Sequence, residues 1–257
     1  MQTFPSHHDP KQEISSDRVL LTEGYWRHGR FYGSWRRDLY LFPIDQEEMR
    51  RLDIFHKFFL LARKGFPFSY PIHHSLPASI LDLGTGTGIW AIYVAEEILP
   101  AAHVTAVDLN RVQPPQIPPN MATVQMNIED SSWAPLPTDF DFVHMRLLLG
   151  SIQGSLWEAV YRNAFKHTAR KRGIIEQNGL SYSFKGWMAF NAAISSSTKP
   201  SFDVVSALEA MSLAPLVEKL GMDVSQVKDL CARLRSEICT LRYHAYLNMH
   251  VWTARKP

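Results

Sequence analysis

The chain has 257 residues, of which 46% are hydrophobic and 20% are charged, and its formal net charge is +2. A chain of this size and composition can bury one sizeable core, which excludes a disordered or fibrous protein. Its basic residues are scattered, so we expect no nucleic-acid partner. No apolar stretch reaches the roughly 18 residues of a membrane span, and the first residues carry no signal-peptide core. We therefore expect a cytoplasmic protein with no membrane partner.

Residues 1–22 are polar and lack a hydrophobic period, which predicts a mobile tail. We expect residues 23–76 to form an N-terminal cap or lid segment. Within it, a glycine- and aromatic-rich stretch precedes a helix with Asp45 as N-cap and Glu48 three residues later, a capping-box arrangement. That helix is predicted to end near Lys64–Gly65.

From residue 79 the chain alternates short apolar runs with helical patterns, which indicates βαβ units and a mainly parallel sheet. The predicted strands are 79–83, 103–108, 123–126, 140–144 and 173–176, and the predicted helices are 89–99 and 155–167. Residues 77–257 are therefore expected to form one α/β domain.

The C-terminal part is predicted to contain two helices and one or two closing strands. The first helix spans about 204–220 and stops at Gly221, and the second begins with Asp223 as N-cap and Gln226 as capping-box partner. Cys231 and Cys239 fall in that second helix, about 12 Å apart at 1.5 Å rise per residue, which is too far for a disulfide. The dispersed histidines suggest no metal site. The aromatic stretch within 178–205 is a candidate substrate-covering segment.

Three alternate glycines, Gly84, Gly86 and Gly88, follow the first strand of the parallel sheet. Glycines between a strand and a helix let a ligand approach the backbone and the free N–H groups of the helix. A dinucleotide fingerprint would need glycine where Ile89 stands, and no P-loop lysine follows. Asp82 would repel a pyrophosphate but suits a ligand with an ammonium group and a sulfonium. The turn therefore predicts S-adenosylmethionine.

Polar residues at the next strand ends support a nucleoside ligand. Asp108 closes the second strand, where an acid accepts hydrogen bonds from ribose hydroxyls. Asn127 could bind the adenine amino group and the Ile128 N–H a ring nitrogen, although Asp108 could also be a turn residue and Asn127 an Asx turn. The predicted cofactor residues are Asp82, Gly84, Thr85, Gly86, Gly88, Asp108, Leu109, Asn127, Ile128 and Met145.

The segments DLGTGTGIWA, RLDIFHKFFLLARKG, IEDSSWAPLPTDFDFVHMRLLLGSI and HAYLNMHVWTARKP resemble the LaeA-like methyltransferases of filamentous fungi. The resemblance implies a class I, Rossmann-like fold with a seven-stranded sheet and helices on both faces. It also implies S-adenosylmethionine as cofactor and S-adenosylhomocysteine as product. Asn127 departs from the Asp of many relatives, which keeps an acceptor and removes a charge.

Candidate residues for the chemistry lie at strand ends and in the N-terminal segment. A phenol or enol acceptor gains from a base, whereas a carboxylate acceptor needs none. His56, which Asp53 could orient, is one candidate base, and it could equally be part of a surface pair with Asp53. The candidate catalytic residues are His56, His144 and Glu176. The alternative for His144 is a neutral core imidazole, and the alternative for Glu176 is a strand-end cap. The candidate substrate-binding residues are Arg30, Tyr32, Trp35 and Arg146.

We predict a small-molecule O-methyltransferase of fungal secondary metabolism, acting on a carboxylate or hydroxyl. One alternative is a regulatory, protein-interacting methyltransferase of the LaeA type. Another is a cyclase that binds the cofactor without methyl transfer. A homodimer is compatible with the high content of tryptophan and phenylalanine.

Overall fold

The computed structural model describes residues 23–37, 39–70, 72, 77–181, 204–239 and 248–257. The predicted tail, residues 1–22, and most of the predicted substrate-covering segment lie outside the described residues.

An antiparallel hairpin of β1 (Gly24–Arg27) and β2 (Arg30–Gly33) opens the described chain. His28 and Gly29 both have positive φ, +53° and +81°, as a two-residue hairpin turn that follows the strand twist requires. We did not predict these strands. The signal was the His-Gly pair, since histidine is one of the residues that tolerate the left-handed region.

Helix α1 (Gln46–Ala62) begins at the predicted cap, where the Asp45 carboxylate accepts a hydrogen bond of 3.0 Å from the Glu48 N–H. The Glu48 carboxylate does not complete a capping box. It accepts two bonds, of 2.7 and 2.6 Å, from the Arg51 guanidinium. The chain turns away at Gly65, with φ +88°, close to the predicted end.

The main sheet contains six strands within the described residues. They are β3 (Ser79–Leu83), β4 (His103–Asp108), β5 (Met121–Gln125), β6 (Phe142–Arg146), β7 (Ile174–Ser181) and β8 (Asn248–Arg255). Their order is β5-β4-β3-β6-β7-β8, with β8 antiparallel to β7 and all other pairs parallel. The predicted α/β class is confirmed. The part of the predicted closing strands that precedes residue 248 lies outside the described residues.

Two of the observed strands are shifted along the sequence relative to their predicted bounds. β5 begins two residues before its predicted start, and β6 begins and ends two residues later than predicted. β7 is longer than predicted because β8 pairs with it from Ile174 to Ser181.

Alternation along the strands divides the core into two layers. Ile80 and Phe142 face the layer under α2 (Ile89–Tyr93), which continues as a π-helical turn. Leu81 and Val143 face the layer under α3 (Trp157–His167). Asp82 and His144 therefore point, like Ile80, toward the α2 layer.

Helices α4 (Val204–Ala214) and α5 (Val224–Cys239) form a separate apolar cluster around Leu208, Leu213 and Val227. At the start of α5 the Gln226 side chain accepts a 3.0 Å bond from the Asp223 N–H. This is the reciprocal half of the predicted capping box. No helix in the described ranges is both long and apolar enough to cross a membrane.

Candidate active site

A pocket opens at the carboxyl ends of β3, β4 and β6, where the strand order reverses and open α/β sheets bind ligands. The pocket and the open space at its mouth together span about 1040 Å³. The predicted residues that line it are Asp82, Gly84, Thr85, Gly86, Asp108, Leu109, Asn127, Ile128, His144 and Arg146.

The glycine turn is built for close approach of a ligand to the backbone. Gly84 has φ +71°, and a Cβ there would lie 2.2 Å from Cδ2 of Leu148. The N–H groups of Gly84 and Thr85 both donate to the Val107 carbonyl, at 2.8 and 2.9 Å. The turn is thereby fixed to the end of β4, and a side chain at residue 84 would require Leu148 to move.

Asp82 and His144 form a buried pair beneath this turn. The Asp82 carboxylate lies 2.7 Å from His144 Nδ1 and accepts a 2.6 Å bond from the Thr85 hydroxyl. Burial lowers the pKa of His144 although Asp82 opposes this shift. We therefore assign a neutral imidazole whose Nδ1–H donates to Asp82. Nε2 is then an acceptor, and it has no partner among the residues described.

Asp108 has the position predicted for a ribose acceptor. Its carboxylate accepts bonds from the N–H groups of Gly86, at 2.8 Å, and Asn110, at 2.9 Å. Burial raises the pKa of Asp108 to about 6, and these two bonds oppose the rise. The carboxylate is thus held against the glycine turn and is ionised at neutral pH.

Asn127 lies in the Asx turn that was the alternative to adenine binding. Its side-chain oxygen accepts from the Glu129 N–H at 3.1 Å, and its amide donates to Asp130 at 3.3 Å. The turn and a contact with adenine are compatible, because the amide carries a second N–H.

His56 and Arg146 meet at the wall of the pocket. His56 Nδ1 lies 3.2 and 3.3 Å from the two terminal nitrogens of Arg146. Burial, followed by the charge of Arg146, lowers the pKa of His56 to about 3. Asp53, the predicted partner of His56, accepts a 2.7 Å bond from the Thr87 hydroxyl. So weakly basic an imidazole, whose lone pair already faces a cation, is poorly suited to act as the predicted base.

Glu176 lies outside the pocket lining and is completely buried. Its carboxylate accepts bonds from Arg63, at 3.1 Å, from Asn178, at 3.2 Å, and from the Ser69 N–H, at 2.7 Å. This arrangement joins the end of α1 to β7. It gives Glu176 a structural position and not the catalytic one that the sequence suggested.

The three predicted substrate residues of the N-terminal segment also lie outside the pocket lining. Arg30 forms a two-point ion pair with Asp45, at 2.6 and 2.8 Å. Tyr32 is buried beside Tyr25, and the exposed ring of Trp35 lies under the Arg36 guanidinium. Farther along the same N-terminal segment, Leu39 and Tyr40 do line the pocket.

Two predicted cofactor residues are placed differently from the rest. Gly88 has φ +78° and precedes α2, but it does not line the pocket. The Met145 side chain is fully buried in the α3 layer, because it alternates with its neighbours His144 and Arg146. Only the backbone of Met145 could face a ligand.

Other residues line the same pocket and were not predicted from the sequence. They are Leu39, Tyr40, Leu52, Phe55, Thr87, Ile89, Trp90, Met126, Glu129, Leu147, Leu148, Ser151 and Ile152. Leu52 and Phe55 follow the helical spacing of α1, which indicates only a buried face. Tyr40 belongs to the aromatic stretch, and burial raises the pKa of its hydroxyl.

The pocket fits S-adenosylmethionine. A glycine turn with positive φ, an acid at the end of β4 and an acid beneath the turn suit a nucleoside with a cationic tail. The residues that would hold it are those of the turn with Asp82, Asp108, Asn127 and Ile128. Bound there, this cofactor supplies an electrophilic methyl group.

A family match agrees with a cofactor pocket of this kind. The family described as "Methyltransferase domain" matches residues 39–226. Among solved structures, the chain is similar to coclaurine N-methyltransferase bound to N-methylheliamine and SAH, with a TM-score of 0.43 and 13% identity, over 79% of this chain and 70% of that one. The fold and the family match define a class I, S-adenosylmethionine-dependent methyltransferase.

Two full-length relatives narrow the assignment. The chain is 44% identical to "Secondary metabolism regulator LAE1" of Gibberella fujikuroi, over 96% of this chain and 97% of the relative. It is 43% identical to "Secondary metabolism regulator laeA" of Fusarium oxysporum f. sp. lycopersici, with the same coverage. The chain belongs to the LaeA-like family of S-adenosylmethionine-dependent methyltransferases.

Proposed function

We propose that this protein regulates fungal secondary metabolism and that it does so through methyl transfer from S-adenosylmethionine. The observation that carries the proposal is the 44% identity to a secondary metabolism regulator over nearly the whole of both chains. The intact pocket supports the enzymatic part, because the turn, Asp82 and Asp108 converge on one cavity.

The residues divide the work of holding the cofactor along the strand ends. Asp108 accepts hydrogen bonds from the ribose hydroxyls, and the turn at Gly84 lets the ligand approach the backbone closely. The loop at Asn127 and Ile128 binds the adenine. Methyl transfer is an in-line displacement, so alignment and the exclusion of water are the main contributions of the protein. Tyr40, from the N-terminal segment, helps to cover the pocket.

A small-molecule O-methyltransferase is the second candidate function. It is supported by the apolar wall that Leu39, Leu52 and Phe55 give to the pocket, since small-molecule sites are largely apolar with few polar groups. His144 lines the pocket and its Nε2 has no partner among the described residues, so it is suited to accept a hydrogen bond from a hydroxyl acceptor, with Asp82 fixing the tautomer.

Complementation of a Gibberella fujikuroi strain that lacks LAE1 separates these functions. The wild-type chain is expected to restore transcripts of several secondary-metabolite gene clusters, and G84A is expected to restore none. G29A is the matched control, because Gly29 also has positive φ but lies in the hairpin turn with nothing within 4 Å of the added Cβ. Equal restoration by G84A would contradict a role for methyl transfer. Unchanged transcripts together with one newly methylated metabolite would favour the second candidate.

Two further proposals concern assembly and location. Exposed apolar side chains such as Leu220 and Trp252, 70% and 55% exposed, support a homodimer, which sedimentation equilibrium tests. The cytoplasmic address is tested by imaging a fluorescently tagged chain.

A further inference from the structure

Arg146 differs from other interior arginines in what neutralises it. Three of those arginines face carboxylates, in the pairs Arg30 with Asp45, Arg51 with Glu48 and Arg63 with Glu176. Around Arg146, within the described ranges, no carboxylate lies within the ion-pair distance of 4.0 Å. Its close neighbours are the neutral ring of His56 and the face of Phe59, whose centroid is 5.2 Å from the guanidinium carbon.

A half-buried guanidinium with no carboxylate in ion-pair contact is unfavourable, although the charge of Asp82 favours its charged form, and this arrangement points to a ligand. Burial lowers the pKa of Arg146 to about 10, which leaves the guanidinium charged at neutral pH. The guanidinium has five N–H donors, and only part of them are directed at His56. Because Arg146 lines the pocket, the remaining donors are available to an anion bound there.

The strand order indicates which part of a ligand Arg146 meets. Asp108 ends β4 and Arg146 ends β6, and β3 lies between them. Two strand spacings separate these ends by about 10 Å. A nucleoside whose ribose lies at Asp108 would cross the glycine turn and direct its tail toward Arg146.

We propose that Arg146, held in place by His56, binds a carboxylate at the β6 side of the pocket. The strand order favours the α-carboxylate in the amino-acid tail of S-adenosylmethionine as its source, and a carboxylate of the methyl acceptor is the other source of the same chemistry. Asp82, beneath the turn on β3, is the acid available for the ammonium of that tail. The inference rests on the cofactor pocket of the proposed function and names the group that recognises the tail.

Guanidinium geometry makes the site selective. A planar guanidinium can bind both oxygens of a carboxylate with parallel N–H groups. His56 fixes the plane by accepting from both terminal nitrogens, and Phe59 supports one face. His56 is thus a positioning residue that acts through Arg146.

Calorimetric titration with two probes tests the site on the full chain. S-Adenosylhomocysteine carries the amino-acid tail, whereas 5′-methylthioadenosine has the same nucleoside and thioether without it. R146Q is expected to weaken S-adenosylhomocysteine binding at least tenfold and to leave 5′-methylthioadenosine binding within twofold. R162Q, in the exposed pair with Glu158 on α3, is the control and should bind both probes as the wild type does.

The two sources of the carboxylate give different results. If R146Q binds both nucleosides normally, sodium benzoate is titrated into protein saturated with S-adenosylhomocysteine. Benzoate binding by the wild type but not by R146Q would assign Arg146 to the carboxylate of the acceptor. Equal behaviour of R146Q and the wild type with all three probes would overturn the proposal. Retained 5′-methylthioadenosine binding shows that R146Q folds.

His56 variants test the positioning role separately. H56N keeps an acceptor near the Nδ1 position and should retain most of the preference for S-adenosylhomocysteine, whereas H56L should lose it in part. Equal preferences in H56N and H56L would remove His56 from the site. Failure of complementation by a wild-type protein with a normal probe preference would count against the regulatory function and leave this inference intact.

Discussion

The imidazole of His144 lies flat against the indole of Trp90, with ring centroids 3.7 Å apart and planes 3° apart. The stack and the bond to Asp82 fix the ring in the interior, where its charged form is unfavourable. His56, which contacts Arg146, is also buried and its charged form is also unfavourable.

Two buried neutral histidines make stability depend on pH. In the unfolded chain histidine takes up a proton below about pH 6.5, whereas His56 in the folded protein does so only near its lowered pKa of about 3. The unfolded state therefore binds more protons between pH 6.5 and 3, and stability falls as the pH falls through this window. The expected contribution of His56 to the slope is about 1.4 kcal/mol per pH unit, and His144, whose pKa is also lowered by burial, contributes in the same direction.

Urea unfolding at pH 7, 6 and 5 measures this slope. H56N should lose less stability than the wild type between pH 6 and 5, and H103Q, which removes an exposed histidine from β4, should follow the wild type. An H56N slope equal to that of the wild type would contradict the assignment of His56 as a buried neutral group.

G84A should abolish cofactor binding. Alanine at φ +71° is strained, and its Cβ would lie 2.2 Å from Cδ2 of Leu148, so either that side chain or the turn must move. G29A carries only the conformational strain, about 1 kcal/mol, and should bind S-adenosylhomocysteine normally. The measurements are thermal unfolding and calorimetric titration, and tight binding by G84A would show that the turn is not the cofactor cradle.

D108N should weaken S-adenosylhomocysteine binding about tenfold, because hydrogen bonds to a charged group are worth more than neutral ones. In the wild type, affinity should also fall as the pH drops through about 6, where Asp108 becomes protonated. That pH dependence should be absent from D108N. Parallel pH profiles for the two proteins would exclude Asp108 as the ribose acceptor.

E176Q should destabilise the fold by about 3 kcal/mol, since it leaves Arg63 charged in the interior without its anion. Per folded molecule, S-adenosylhomocysteine affinity and complementation should be unaffected. E158Q, at an exposed position on α3, should change stability by less than about 0.5 kcal/mol. A stable E176Q protein that binds the cofactor but fails to complement would restore a catalytic role for Glu176.

Short sequence patterns predicted the elements whose bounds depend only on neighbouring residues. The bounds of β3 and β4 follow from apolar runs that end at glycine or aspartate. β6 was placed two residues early because His144 and Arg146, polar residues in a buried strand, resemble a strand end. The cofactor turn could be predicted since its residues are contiguous. The pair of His56 and Arg146 could not, because 90 residues separate two side chains that only the docking of α1 on β6 brings together.

The attachment of α1 to Glu176 has a consequence for the order of assembly. Arg63 and Glu176 are 113 residues apart, so loop closure between them is entropically expensive and late. During synthesis the glycine turn emerges from the ribosome well before β7. The contact between Arg63, at the end of α1, and Glu176 cannot form until β7 has emerged as well. A nascent chain that stops before residue 176 would therefore contain the glycine turn, but α1 would not yet be attached to β7 beside the pocket. Cofactor binding by the growing chain should begin only once the sheet is complete.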